Sequence, residues 1–283
     1  MKKIDQLPED IYKLLQGKLA HDPQILEKFG PALGDILTKR LKDSLVERLP
    51  TLRMSNIGRP LRQLWYEQNG YKGEELSGNT LFKFMYGDVL ESLVVVLAEA
   101  AGHTVERTQE ELEVDGIKGH IDGVFDGHLT DVKSCSPYSF AKFKDGTLLE
   151  EGNDPFGYVG QLCGYAHEVK LPACWVAINK VSGDICVLHL PQELVDSYDV
   201  RNRIENVKLV VKQENPPERC YEDEPDGKSG NRKLSLGCSY CAHKFSCWDN
   251  LQAYAYSTGP RYLTKVSVEP KVFKINTVES TIS

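Results

Sequence analysis

GHIDGVFDGHLTDVKS, residues 119–134, holds two apolar-polar alternating runs on either side of Asp126-Gly127. An Asp-Gly pair between such runs favours a two-residue hairpin turn, because both turn positions need positive φ. The hairpin sets Asp122 on one strand across from Asp131 on the next, at the same end of a sheet. Lys133 is two residues past Asp131 and therefore shares its strand face. Two carboxylates and an ammonium group gathered in this way can hold a divalent cation beside a phosphate, with the lysine orienting water or stabilising developing charge. An acid-x-Lys triplet alone decides little, since an exposed strand ion pair has the same spelling. The chain has three more: Glu168-Val169-Lys170 closes a helix-like run, Asp226-Gly227-Lys228 lies in a Gly-rich loop, and Glu269-Pro270-Lys271 carries a proline unsuited to an inner strand. Only Asp131-Val132-Lys133 has an acid upstream across a hairpin.

Outward from this stretch, the spacing predicts a long, largely apolar helix from Thr80 to Ala101, stopped by Gly102 and buried by a sheet. The runs HTVERTQEELEV, IKGHIDGVFD and HLTDVKSCS, divided by Asp115-Gly116 and Asp126-Gly127, read as a three-stranded antiparallel meander. Downstream, PFGYVGQLCGYAHEV reads as a helix with Pro155 near its start. ACWVAINK and DICVLHL then read as strands joined at Ser182-Gly183, and residues 191–213 as a further helix. At the other end, IYKLLQGKL and LGDILTKRLKDSLVERL repeat apolar residues at three and four, giving short helices with Pro31 and Pro50 as breaks. From Asn215 the chain turns rich in Pro, Gly, Cys and charge before a partly extended tail. There is no internal repeat.

With 283 residues and 41% hydrophobic content, the chain can bury a substantial core. MKKIDQLPED lacks the apolar run of a signal peptide and no stretch is long and apolar enough for a membrane helix, so a cytoplasmic protein is expected. A net charge of -7 excludes a chain coated with basic residues, so any nucleic-acid grip must be local. Cys135, Cys163, Cys174 and Cys186 are scattered in apolar segments, as small core residues are. Cys238, Cys241 and Cys247 form C-x2-C-x5-C, with Cys220 available as a fourth ligand; this pattern points to a metal centre, and its chemistry allows structural zinc.

The ordered series of motifs resembles the PD-(D/E)XK nuclease superfamily, in its RecB-like branch that includes CRISPR-associated and phage-encoded exonucleases. The likeness spans residues 55–248. Gly87-Asp88-Val89-Leu90-Glu91 places Glu91 where many relatives have histidine; Asp122, Asp131-Val132-Lys133 and Gln161-Leu162-Cys163-Gly164-Tyr165 follow in the family's order. The resemblance implies an α/β (α+β) fold with a restriction-endonuclease-like core, a central mixed sheet flanked by helices. It implies that Asp122, Asp131, the Val132 carbonyl and Glu91 bind Mg²⁺ or Mn²⁺, that Lys133 serves the attacking water, and that Gln161 and Tyr165 face the site. It also implies a [4Fe-4S] cluster on Cys220, Cys238, Cys241 and Cys247, with zinc the alternative. The upstream cysteine that many relatives have is missing from SNIGRPLRQLWY, which makes Cys220 its substitute. His120 shares the Asp122 strand face and is read as a bystander.

The expected organisation is a helical region at 1–52, the nuclease core at 53–214, a cysteine module at 215–250 and a tail at 251–283. Arg53, Arg59, Arg62, Trp65 and Tyr66, with Lys228, Arg232 and Lys233, are candidates for gripping single-stranded nucleic acid, although solvated charge and core aromatics have the same composition. The resemblance makes a phage-encoded DNA exonuclease acting at single-stranded or duplex ends the expected function. Endonuclease action and a noncatalytic nucleic-acid-binding role are the alternatives.

Overall fold

A computed structural model describes residues 2–43 and 50–275. In chain order the helices and strands are α1 (Leu7–Leu15), α2 (Pro23–Glu27), α3 (Phe29–Asp43), α4 (Met54–Ile57), α5 (Leu61–Gln68), α6 (Gly78–Ala100), β1 (Val105–Glu106), β2 (Glu111–Val114), β3 (Ile117–His120), β4 (Gly123–Phe125) and β5 (His128–Cys135). They continue with α7 (Pro137–Lys144), α8 (Tyr158–Val169), β6 (Ala173–Asn179), β7 (Ile185–Leu190), α9 (Gln192–Ser197) and α10 (Val200–Val210). Last come β8 (Glu224–Pro225), β9 (Arg232–Lys233), α11 (Leu236–Tyr240), α12 (Lys244–Cys247), β10 (Gln252–Tyr256), β11 (Gly259–Lys265) and β12 (Lys274–Ile275). Two compact units result, one from Met1–Gly58 with Leu76–Arg203, the other from Arg59–Glu75 with Ile204–Ser283.

The first unit is built on a mixed sheet in the order β1-β4-β5-β6-β7, in which β5 and β6 run parallel and the other pairs antiparallel. Parallel neighbours require a long crossover, here supplied by α7 and α8. One sheet face buries Phe125, Val132, Cys174, Val176 and Ile178 against Leu7 and Ile11 of α1 and Val94 and Ala98 of α6. The opposite face packs Trp175 against Phe143 of α7, ring centroids 6.2 Å apart. The mixed sheet flanked by helices that the sequence predicts is therefore present.

Both Asp-Gly turns form as predicted. Asp115 and Gly116 have φ of 46° and 79°, Asp126 and Gly127 of 47° and 79°, and each pair closes a two-residue hairpin. The meander, however, is divided. IKGHIDGVFD breaks at Ile121-Asp122, so that β2 and β3 form a separate two-stranded ribbon while β4 joins the central sheet. The break is where the Ile121 N–H bonds to the Glu110 carbonyl and the Asp122 side chain turns to β5. Pro31 does not end a helix. It stands in the first turn of α3, where an N–H has no intrahelical partner to lose. The remainder of the predicted N-terminal helical run, residues 44–49, lies outside the described residues, as do residues 276–283 of the tail. Residues 191–213 form two helices in place of one, and α7 is a helix the patterning did not predict; Ser136 caps it and Pro137 opens it.

The second unit has an antiparallel sheet in the order β12-β10-β11-β9-β8 and a core of Leu234, Cys238, Trp248 and Leu251. Helix α5 belongs to it: Trp65 Nε1 donates to the Gln213 carbonyl at 2.8 Å and the Tyr66 hydroxyl to the Ser246 carbonyl at 3.0 Å. No described helix is long and apolar enough to cross a membrane.

Candidate active site

Pairing of Gly123 with Thr130 sets Asp122, immediately before β4, across from Asp131. The Val132 N–H donates to Asp122 Oδ2 at 2.7 Å, which pins the acid to the neighbouring strand. Alternation along β5 does the rest: Val132 enters the core shared with α1 and α6, while Asp131 and Lys133 point to the face covered by α7 and α8. The Lys133 ammonium forms an ion pair with Asp131 Oδ2 and lies 5.1 Å from the centre of the Tyr158 ring.

Glu91 arrives from α6. A Cβ on Gly87 would lie 2.9 Å from Ser134 Oγ, so the glycine lets the helix backbone approach β5, and Glu91 follows one turn later. Gln109 Nε2 donates to Glu91 Oε1 at 2.7 Å, and the Glu91 carboxyl lies beside Asp122. Tyr165 enters from α8, buried at 1% exposure, and a Cβ on Gly119 would meet its hydroxyl at 2.0 Å. That hydroxyl, near Asp131, Asp122 and Gln161, has no hydrogen-bond partner of normal geometry among the described residues. The structure thus brings Glu91, Asp122, Asp131, Lys133, Gln161 and Tyr165 to one place, with the Val132 backbone beside them.

The electrostatics follow from crowding three carboxylates in a poorly solvated corner. Burial raises the Asp122 pKa well above its ordinary value, and the charges of Asp131 and Glu91 raise it further. Burial raises Glu91 as well, opposed by Lys133. For Lys133, burial pulls the pKa down, but the charges of Asp131 and Asp122 outweigh it and the net shift is upward. Lys133 is therefore a lasting cation and hydrogen-bond donor at neutral pH, not a base. Tyr158, which lies outside the sequence motifs, is pushed up to about 12, chiefly by burial. Its signal was available: Tyr158, Gln161 and Tyr165 continue one face of α8 at spacings of three and four. Gln109 had no comparable signal, as it sits in a loop at φ 55°.

Among the described residues no three His, Cys, Asp or Glu side chains stand close enough to hold a metal ion. Mg²⁺, however, is commonly held through one or two carboxylates, with water and phosphate oxygens completing its shell. Asp122 and Asp131, whose negative charges repel each other in this buried corner, fit that requirement. A cleft of about 730 Å³ opens onto Glu91 and Asp122 and is lined also by Lys39 and Arg40 of α3 and by Gln109. His120 stands apart, 3.8 Å from Glu111 in the β2–β3 ribbon.

In the second unit Cys220, Cys238, Cys241 and Cys247 line a single cavity as free thiols. Burial pushes Cys220 and Cys238 up, and Cys241 to about 11, with neighbouring cysteines adding to each. Arg62 Nε donates to Cys247 Sγ at 3.1 Å, and the Arg219 guanidinium covers Trp248 at 4.2 Å. A cationic donor aimed at sulfur suits a thiolate, and the soft donor set suits zinc or an iron-sulfur centre. Most of the other basic and aromatic candidates have internal partners: Arg53 with Thr51, Arg59 with Glu67, Arg232 with Asp223, Lys233 with Glu224, and Arg62, Trp65 and Tyr66 as above.

Comparisons with protein-family models and with curated proteins return no match. Among solved structures, the chain is similar to SSO0001, with 20% identity and a TM-score of 0.42 over 76% of this chain and 95% of that one. It is also similar to LHK-Exo in complex with dAMP, with 11% identity and a TM-score of 0.35 over 56% of this chain and 92% of that one. At these scores neither likeness bears on the reading of the site.

Proposed function

We propose that the protein is a metal-dependent DNA nuclease, acting as an exonuclease at DNA ends. The observation that carries this reading is the convergence of Asp122, Asp131, Glu91 and a positively charged Lys133 on one corner of the sheet, with a cleft opening onto Glu91 and Asp122. Asp122 and Asp131 with the Val132 carbonyl would hold Mg²⁺ or Mn²⁺, with Glu91 taking part through a water; when bound, the ion supplies Lewis acidity toward phosphate and lowers the pKa of water. Lys133 donates a hydrogen bond to the attacking water or to a phosphate oxygen and offsets the charge that builds there. Tyr158 restricts the lysine by covering it, and Gln109 holds Glu91 in place. Gln161 and Tyr165 face the site from α8, the buried Tyr165 hydroxyl positioning the acids beside it.

In this reading the four cysteines hold a [4Fe-4S] cluster, or zinc, as a staple of the second unit. DNA replication, recombination or degradation in a phage-infected cytoplasm would use such an activity. The test is parallel digestion of end-labelled linear duplex, single-stranded and closed circular DNA with Mg²⁺ or Mn²⁺. Shortening from labelled ends with circles intact is expected. Nicked circles would indicate an endonuclease, and no cleavage of any substrate would defeat the enzyme reading.

A further inference from the structure

The cavity lined by Cys220, Cys238, Cys241 and Cys247 lies wholly within the second unit, between the start of α5 and the segments carrying α11 and α12. Its lining also holds three cations, Arg62, Arg219 and Lys244, and among the described residues no Asp or Glu. Lys244 pairs with Glu74, outside the cavity. Arg62 has no carboxylate partner among the described residues. Its Nε donates to Cys247 Sγ at 3.1 Å, Nη1 to the Pro217 carbonyl and Nη2 to the Tyr66 hydroxyl at 3.2 Å. A guanidinium cannot shed its charge, and a half-buried one is costly to keep without a counter-charge. A thiol is a weak acceptor and offers none, whereas a thiolate offers a full negative charge along a charge-assisted hydrogen bond.

Further donors stand at the same wall. Ser235 Oγ and Trp248 Nε1 are buried, neither has a hydrogen-bond partner of normal geometry among the described residues, and both lie beside the Cys238 thiol. A buried donor without an acceptor keeps its full desolvation cost, so these two also call for a stronger acceptor than a thiol. Arg219 covers the Trp248 ring at 4.2 Å and donates from Nε and Nη2 to the Cys247 carbonyl, each at 3.2 Å. The backbone of Cys247 is thus held by one arginine and its sulfur by another. Cations and donors with no acid among them suit an occupant of net negative charge, which four thiolates around a zinc ion or an iron-sulfur core have.

We propose that Arg62 is a positioning residue of the cysteine centre: its guanidinium orients Cys247 Sγ as a thiolate ligand and offsets the charge of the bound centre, so that metal retention depends on it. This rests on the reading of the four cysteines as a metal centre and adds a residue from α5, 185 positions away in sequence from the ligand it holds. Groups that hydrogen-bond a ligand fix its orientation and tune the metal although they never touch it.

The test uses the full-length chain purified without oxygen. Iron, sulfide and zinc per chain are measured in wild type, Arg62→Gln, Arg62→Lys and Trp65→Phe, before and during exposure to EDTA, with melting temperatures before and after metal removal. Trp65→Phe loses the bond to the Gln213 carbonyl on the same helix and does not line the cavity, so it reports what weakening the unit does alone. We expect Arg62→Gln to hold its metal about 10–100-fold more weakly, the usual cost of removing a group that orients a ligand. Arg62→Lys, which keeps the charge, should fall between it and wild type. Trp65→Phe should melt lower without metal yet retain metal as wild type does. Loss of the donor from sulfur should also shift the sulfur-to-metal charge-transfer absorption, read on iron directly or on Co²⁺ exchanged for zinc. Retention and absorption unchanged in Arg62→Gln would overturn the proposal, as would an equal loss of metal in Trp65→Phe with the absorption of Arg62→Gln unmoved. If Arg62→Gln does not fold, both quantities are read on Arg62→Lys, and no change there overturns the proposal equally. A wild-type chain that holds neither iron nor zinc would remove the metal centre itself, and the proposal with it.

Discussion

Lys133→Ala tests the electrostatic account of the site most directly. The side chain is 20% exposed and pairs with Asp131, itself 11% exposed at the side chain. Two unit charges about 4 Å apart at an effective dielectric constant of about 20 attract by about 4 kcal/mol. Breaking one partner of a buried pair typically costs about 3–5 kcal/mol. Protonation of a neighbouring carboxyl absorbs part of this, so we expect about 2–3 kcal/mol at neutral pH, a fall in melting temperature of about 5–10 °C for a unit of this size.

The pH dependence has a definite sign. Asp122 and Glu91 have folded pKa values above their ordinary 3.8 and 4.5, so above those values the native state holds more protons than the unfolded state. Their contribution to stability therefore falls as pH rises through the window between the ordinary and the raised values. Lys133 restrains both shifts, so its removal enlarges them, and the deficit of the variant should be largest near pH 7 and shrink toward about pH 5. Cleavage should fall by about 10²–10³, the usual cost of one group that stabilises transition-state charge. Denaturant titrations at several pH values and initial rates on labelled DNA measure the two effects. A stability deficit that is absent, or constant from about pH 5 to 8, would refute the carboxylate crowding.

Asp122→Asn should abolish cleavage yet melt higher than wild type in chelator, by about 1–2 kcal/mol, because a crowded buried charge is removed; added Mg²⁺ should raise the melting temperature of wild type but not of the variant. Gly119→Ala places a methyl where the Tyr165 hydroxyl sits. It should cost about 1–3 kcal/mol by overpacking and reduce cleavage, with a shift in tyrosine absorbance or fluorescence as the ring moves. Protein purified without oxygen should be brown and contain iron and sulfide, and Cys241→Ser should lose the colour; colourless protein with stoichiometric zinc would instead identify the staple as zinc.

The two hairpin turns were legible because Asp-Gly satisfies a backbone requirement that few pairs meet, and with them came the opposition of Asp122 and Asp131. Helix α6 was legible from its length and apolar content. The division of the strands at Asp122 was not, since Ile121-Asp122 continues the alternation and only the bond to Val132 shows where the side chain is needed. Pro31 was misread because proline breaks a helix interior but suits a first turn, and spacing alone does not say which it occupies. In the site, the residues carrying charge could be named from sequence. Tyr158 could be placed beside them from its spacing to Gln161 and Tyr165 on α8, whereas Gln109 reaches Glu91 from a loop, and such a contact leaves no local trace.

The packing of α1 on the central sheet also shapes how the chain comes to be folded. The Tyr12 hydroxyl accepts the Ile185 N–H at 2.7 Å across a separation of 173 residues, and Leu7 and Ile11 share a core with Cys174, Val176 and Ile178. At about 5–20 residues per second of synthesis, α1 leaves the ribosome on the order of ten to thirty seconds before the strands it covers. Its apolar face has no seat in that interval. Closure of the first unit is thus a late, long-range event, and slow refolding is expected from a sheet whose only parallel pair is separated by two helices.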